Sequence, residues 1–196
     1  MKVAKRSVLR VCACVLVTLV AATTGRSQAT QPAGSSATAT AFFERLKALK
    51  GEWEGTFEWT GARTGKGAMR AQYYVTGFGS AVVENLTTTD EPLMTTVYHR
   101  DGEALRMTHF CAAANQPRLK ATQLDAATGS ARFSFVDATN LSGPNAAHVS
   151  GFEIRLLDED RIEMTFTFRA GEKLSYEHIK LRRVSAVPSP AAPAKN

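Results

Sequence analysis

The sequence predicts an all-β domain: an antiparallel meander of about ten strands closed into a barrel, with one short N-terminal helix. Three observations predict this fold. Apolar and polar residues alternate with a period of two through most of the chain, the connections are short, and no helical pattern separates consecutive strands. Parallel βαβ units are therefore excluded, because each would need a crossover helix.

Residues 1–29 have the composition of a secretory signal peptide. They contain five basic residues and no acidic residue, and the apolar stretch 11–22 is too short to span a bilayer, which takes about 20 residues. Ser27 and Ala29 supply small side chains before the expected cleavage point. The sequence predicts an exported protein, periplasmic or extracellular, and a retained N-terminal anchor is the alternative.

Charge and cysteine content exclude two further classes. The chain of 196 residues carries a net charge of +6, but the part beyond the signal peptide contains 19 basic and 18 acidic residues, so its net charge is close to zero. The domain therefore shows no electrostatic footprint for nucleic acid. Cleavage would remove Cys12 and Cys14 and leave Cys111 alone, so no intrachain disulfide is expected.

The rest of the chain divides into three segments. Residues 30–39 read as a flexible leader, 40–184 as the barrel domain, and 185–196 as a disordered tail rich in Pro and Ala. A short helix is expected over 40–50, with Thr40 as its N-cap, because Phe42, Leu46 and Leu49 form one apolar stripe.

Strands follow the helix with hairpin turns between them. An open sheet would expose an edge, so closure into one barrel is the economical arrangement, with a two-sheet sandwich as the alternative that alternation leaves open. The predicted strands are 51–60, 69–76, 80–89, 93–100, 104–111, 117–124, 130–137, 148–157, 160–169 and 173–183.

A short helix running into Gly51-Glu52-Trp53 resembles the G-x-W opening of lipocalins and other calycins. The resemblance implies that Gly51 and Trp53 have structural roles and that Trp53 closes the barrel base. It also implies that a basic residue of the last strand, Arg182 or its neighbour Arg183, packs over the indole; Arg182 is the one assigned here.

The domain shows two further resemblances, and the second covers the whole of it. The helix-then-strand opening is similar to that of nitrobindin-like, haem-binding barrels of ten strands. The segments 98–102, 108–117 (THFCAAANQP) and 135–140 (FVDATN) resemble a bacterial group of exported lipocalin-like proteins of unknown function. That second resemblance points to a fold and an export route rather than to an activity.

Side-chain parity selects the polar groups expected to face the barrel interior. His109, Asp137 and His148 each share a strand face with apolar residues and lie near a strand end, beside loops that carry amides. Convergent polar groups at the mouth of an apolar cavity are typical of small-molecule sites. The candidate ligand-binding residues are His109, Asn115, Gln116, Asp137, Asn140 and His148.

Each candidate also has a structural explanation. A histidine on an apolar face is more often a hydrogen-bonded core residue than a ligand. Asp137 could cap the following loop, Asn115 could supply a turn position, and Cys111 has the character of a small buried hydrophobe.

The favoured function is binding of a small, largely apolar ligand, with the His/Asp/Asn cluster orienting its polar end. A haem or divalent-metal protein is the first alternative, with His109, His148 and Asp137 as the possible ligands. An enzyme with a His–Asp general base is the second, and a ligand-free structural barrel is the third. Nucleophile-elbow, P-loop and dinucleotide-binding motifs are absent from the sequence, so binding is favoured over catalysis.

Overall fold

The structure, a computed structural model, describes residues 34–89 and 93–184. The predicted signal peptide and the predicted tail lie outside the described residues. The elements are α1 (Gly34–Lys47), β1 (Gly51–Gly61), β2 (Gly65–Thr76), β3 (Ala81–Thr87), β4 (Met94–Asp101), β5 (Ala104–Phe110), β6 (Gln116–Asp125), β7 (Ser130–Thr139), β8 (His148–Leu156), β9 (Arg161–Ala170) and β10 (Lys173–Arg183).

The strands form a closed antiparallel barrel, which confirms the predicted fold and excludes the sandwich. Each strand pairs with its neighbours along the chain, and β1 closes the ring by pairing with β10 as well as with β2. Closure removes the two unpaired edge strands that an open sheet of ten strands would expose. Most strand positions follow the predicted ones closely because period-two alternation marks each strand's inward face. The exception is β2, which begins at Gly65, four residues before the predicted start.

Helix α1 begins at Gly34, six residues before the expected N-cap at Thr40, and ends at Lys47. Part of the predicted leader is therefore helical, and Thr40 lies inside the helix. The physical reason is Ala39, which is fully buried and extends the apolar stripe of Phe42 and Leu46 toward the N-terminus. Within the described residues, no helix has the length and apolar character needed to cross a membrane.

The helix covers one end of the barrel, here called the base; the opposite end is the mouth. Phe42 and Leu46 are fully buried in the same core as the strand residues. Arg45 donates hydrogen bonds to the carbonyl oxygens of Ala126 (2.5 Å) and Leu156 (3.1 Å), which belong to the β6–β7 turn and the end of β8. Apolar packing and these polar contacts together hold the helix on the base.

Trp53 lies at the base, as the calycin resemblance implies. Its side chain is 1% exposed, and its indole N–H donates to the Leu49 carbonyl oxygen at 2.8 Å. Gly51 precedes it at φ +133°, and a Cβ there would lie 3.3 Å from the guanidinium of Arg183. A side chain at position 51 would thus meet both backbone strain and a close neighbour.

The assignment of Arg182 to the contact with Trp53 is wrong. Arg183 is the cross-strand partner of Trp53, and its guanidinium lies over the indole. Arg182 points to the outer surface, where it pairs with Glu54. The reason is parity: Leu181 faces inward, so the next inward position on β10 is Arg183.

Candidate functional site

A cavity of about 550 Å³ opens at the mouth, among the ends of β1, β5, β9 and β10. We call it the mouth cavity. Four aromatic side chains line it, namely Phe57, Trp59, Phe166 and Phe168, and a second set of apolar side chains completes the walls. The second set is Leu93, Met94 and Val149. A concave, mostly apolar space with a few polar groups is the usual form of a small-molecule site.

Glu177 is the acidic residue of the mouth cavity. It faces inward from β10, directly between Trp59 of β1 and Phe166 of β9, and is 3% exposed. Among the ion pairs of the described residues, none involves its carboxyl group. Burial raises the pKa of Glu177 to about 7, and the charge of Arg63 and a hydrogen bond from Trp59 only partly oppose that rise.

Arg63 supplies a positive charge at the rim of the cavity. It lies in the turn between β1 and β2, and its guanidinium carbon is 4.2 Å from the centroid of the Trp59 ring. Trp59 also meets Phe168 edge to face at 6.0 Å. The indole therefore contacts both a cation and a second aromatic ring.

Cys111 lines the same cavity, but its thiol is not activated. Burial raises its pKa, and the nearby negative charge of Glu177 raises it further. The Ala113 amide donates to Sγ at 3.4 Å, and Arg63 lowers the pKa, yet the net direction is upward. Cys111 therefore remains a neutral thiol near neutral pH, as expected for a small, partly buried hydrophobe.

A second set of polar side chains lies deeper in the barrel. The strand register sets Tyr73, Glu84, Thr96 and His109 side by side across β2, β3, β4 and β5. The Tyr73 hydroxyl donates to Glu84 Oε2 at 2.5 Å, and the Tyr98 hydroxyl donates to the same oxygen at 3.1 Å. Thr96 Oγ1 lies 2.9 Å from His109 Nδ1. We call these five residues the core network.

The core network is closed off from solvent. Glu84, Thr96 and His109 are all fully buried. Burial raises the pKa of Glu84 to about 7, although hydrogen bonds from the two tyrosines and Thr96 act to lower it. Burial lowers the pKa of His109 to about 4, so its imidazole is neutral at pH 7.

His109 faces inward as predicted, but it belongs to the core network and does not line the mouth cavity. Its ring packs against Phe166 at 4.9 Å between ring centroids, and its Nε2 has no hydrogen-bond partner among the described residues. His148 is 8% exposed, and its Nδ1 lies 2.7 Å from the Ala146 carbonyl oxygen. Its ring packs on Phe135 at 4.8 Å, so His148 also stays outside the cavity.

The prediction that Asp137 faces inward is wrong. In the pairing of β6 with β7, Arg118 is opposite Asp137, but the next residue, Leu119, is opposite Phe135. Val136 is therefore an extra residue on β7. Such a bulge inverts the parity beyond it. Asp137 therefore points outward and pairs with Arg118 through 2.6 and 2.7 Å bonds, which lower its pKa.

The amides Asn115, Gln116 and Asn140 connect the mouth loops to one another. Asn115 Nδ2 donates to the Ala147 carbonyl oxygen at 2.7 Å, and Asn140 Nδ2 donates to that of Ala114. Gln116 Oε1 accepts a 2.7 Å bond from the Thr139 hydroxyl. The three side chains bind the β5–β6 loop to β7 and the β7–β8 loop, and none of them lines the mouth cavity.

The residues present do not fit the proposed metal or haem. The described residues contain no group of three or more His, Cys, Asp or Glu side chains arranged to hold a metal ion. Asp137 lies on the outer surface, so the set of His109, His148 and Asp137 does not form, and neither does a His–Asp base pair with that aspartate. No described histidine lines the mouth cavity, so no imidazole reaches a haem placed there.

The sequence reasoning missed both buried carboxyl groups. Glu84 lies between Val82 and Leu86 at spacings of two, a signal that places it on the buried face. Glu177 lies two residues before Ile179 and four before Leu181, which mark the inward face of β10 in the same way. Residue type points the other way at both positions, because glutamate is mostly exposed in folded proteins.

Comparisons with known proteins return structural neighbours of the barrel. No family model matches the chain, and no curated protein matches it. It is similar to Rv2717c from M. tuberculosis at 15% identity and a TM-score of 0.53, over 73% of this chain and 97% of that one. It is also similar to a protein of the DUF3598 family, of unknown function, from Nostoc punctiforme, at 15% identity and a TM-score of 0.51.

The second match covers 71% of this chain, which spans about half, 48%, of that protein. At these identities the two matches show the fold alone. Across the described residues, the architecture is all-β: ten strands close into one antiparallel barrel that carries one α-helix.

Proposed function

We propose that the barrel binds a small, largely apolar molecule in the mouth cavity. The observation that carries the proposal is the cavity itself, about 550 Å³ with four aromatic walls and one buried carboxyl group. Such a volume lies within the range of small-molecule sites, which is about 300–1,000 Å³.

The polar end of the ligand meets a different set of residues from the one predicted. Glu177, Arg63 and Lys66 line the cavity, whereas the predicted histidines and amides support the walls behind it. Glu177 orients the ligand from inside the cavity, and the two basic residues act at the rim. The amides keep the mouth loops in place, which preserves the cavity's shape.

A neutral aromatic dye, N-phenyl-1-naphthylamine, tests the proposal. Its emission should rise on mixing with the protein, because the dye leaves water for an apolar site. Ala113→Trp should abolish most of the rise by filling the cavity, since Ala113 lines it. Ala127→Trp, in the exposed β6–β7 turn at the base, is the matched control. Equal emission from the two variants, or none from the parent, would refute the proposal.

Export is part of the same proposal and rests on residues 1–29. The mature chain should begin near Thr30, and N-terminal sequencing of material recovered outside the cytoplasm tests this. An intact Met1 on the soluble exported form would rule out cleavage.

A further inference from the structure

We infer that the ligand of the mouth cavity carries an organic ammonium group, held by Glu177 against the aromatic walls. This inference rests on the proposed function and deepens it, because it names the chemical class of the ligand. It is carried by the combination of a buried carboxyl group, its aromatic neighbours and the position of Arg63.

The first step is that Glu177 forms no ion pair within the described residues, although the charge of Arg63 acts on it. The residue is 3% exposed and faces the cavity, and its carboxyl group is in none of the ion pairs between described residues. Glu84, by comparison, lies in a closed network in which two tyrosine hydroxyls donate to its Oε2, although its Oε1 has no hydrogen-bond partner among the described residues. A buried carboxyl group without a cation is costly, and the charge of a bound ammonium would remove that cost.

The second step is the aromatic environment. Cross-strand register places Trp59 on one side of Glu177 and Phe166 on the other, and Phe152 follows Phe166 in the same row. Phe57 and Phe168 complete the aromatic lining nearby. Aromatic faces attract organic cations, and the attraction is larger where water is excluded. A carboxyl group between such faces is the combination that an alkylammonium head needs.

The third step is that a cation already lies on one of these rings. The Arg63 guanidinium is 4.2 Å from the Trp59 centroid, and its charge acts on Glu177. Arg63 comes from an exposed turn, so a ligand can displace it without disturbing a strand. Arg63 thus competes with a cationic ligand, whereas it would assist an anionic one. This opposite effect separates the two classes of ligand.

Three ligands with one alkyl chain test the inference by calorimetry: octyltrimethylammonium, octan-1-ol and octanoate. We expect the ammonium to bind tightest, and Glu177→Gln to weaken it by about tenfold or more while changing octan-1-ol by less than about threefold. Glu172→Gln makes the same charge change in the exposed β9–β10 turn and should leave all three affinities unchanged. Thermal unfolding of each variant verifies that the barrel is intact.

Arg63→Gln gives the second readout. It should strengthen ammonium binding and weaken octanoate binding, since it removes a positive charge beside Glu177. If octanoate binds as tightly as the ammonium and Arg63→Gln weakens it, the site selects anions and the inference is wrong. If octan-1-ol binds as tightly as the ammonium, head-group charge is irrelevant and the inference is again wrong.

The pH profile gives the third readout. Because the pKa of Glu177 is raised to about 7, its ionised fraction, and with it the ammonium affinity, should rise about tenfold from pH 6 to pH 8. The other titratable or charged groups lining the cavity are Arg63, Lys66 and Cys111, and Cys111 has a raised pKa. The rise should vanish in Glu177→Gln, and a rise that persists there would overturn the role of Glu177. Failure of the naphthylamine dye and of all three alkyl ligands would instead refute the proposed function itself.

Discussion

The guanidinium carbon of Arg183 lies 4.3 Å from the centroid of the Trp53 ring, on strands paired across the closure of the barrel. The same guanidinium donates hydrogen bonds to the carbonyl oxygens of Lys50, Ala48 and Glu159, at distances from 2.8 to 3.0 Å. It thus joins the segment after α1, the start of β1, the end of β10 and the β8–β9 turn.

Arg183→Ala should lower the free energy of unfolding by about 2 kcal/mol, because it removes charge-assisted hydrogen bonds and the contact with Trp53. Arg182→Ala is the matched control. Arg182 pairs with Glu54 on the exposed face, so its loss should stay within about 0.5 kcal/mol. Urea denaturation measures both. Equal losses for the two arginines would contradict the role assigned to Arg183.

Trp53→Ala should cost about 3–5 kcal/mol of unfolding free energy, through lost burial, the cavity left behind and the unpaired Leu49 carbonyl oxygen. Trp59→Ala removes the same side chain from the half-buried rim of the mouth cavity and should cost clearly less. Chemical denaturation of the two variants gives the comparison. A loss under about 1 kcal/mol for Trp53→Ala would place the indole outside the core.

Glu84→Gln should change how stability depends on pH. In the folded protein the pKa of Glu84 is about 7, whereas the unfolded value is near 4.5. Between these two values the folded state keeps a proton that the unfolded state releases. The contribution of Glu84 to the free energy of unfolding is therefore complete below about pH 4.5, and it is lost as the pH rises to about 7. Gln does not titrate, so the variant should gain about 3 kcal/mol relative to the parent over that interval.

Urea midpoints measured across that pH interval give the test. Glu58→Gln, on the exposed face of β1, makes the same charge change without burial and should run parallel to the parent. If Glu84→Gln also runs parallel, Glu84 is ionised in the folded protein over this interval and its burial has no such effect.

His109→Ala should destabilise the barrel by about 1–3 kcal/mol, since Thr96 would lose its partner in a fully buried position. Binding of the naphthylamine dye by the folded variant should be unchanged, because His109 does not line the mouth cavity. Asp137→Asn, in an exposed ion pair with Arg118, should change stability by less than about 0.5 kcal/mol. Loss of dye binding by folded His109→Ala would return this histidine to the ligand site.

The strands were predictable because alternation is a local signal that each strand carries by itself. Inward-facing polar groups were harder, since parity must be counted through every irregularity. One extra residue at Val136 was enough to turn Asp137 outward. Glu84 and Glu177 were missed for another reason: their spacing from Val82 and Ile179 marks the inward face, but glutamate is mostly exposed in folded proteins, so residue type points the other way.

Closure of the ring has a consequence for folding kinetics. Consecutive strands meet across short turns, as with Tyr73 and Glu84, 11 residues apart, whereas Glu54 and Arg182 pair across β1 and β10 from 128 residues apart. Closing so long a segment costs more chain entropy than forming a hairpin, so the β1–β10 seam should form late on the folding pathway. Weakening a contact that forms late in folding leaves the folding rate nearly unchanged and raises the unfolding rate instead. The loss of Arg183 should therefore open the barrel sooner without slowing its assembly.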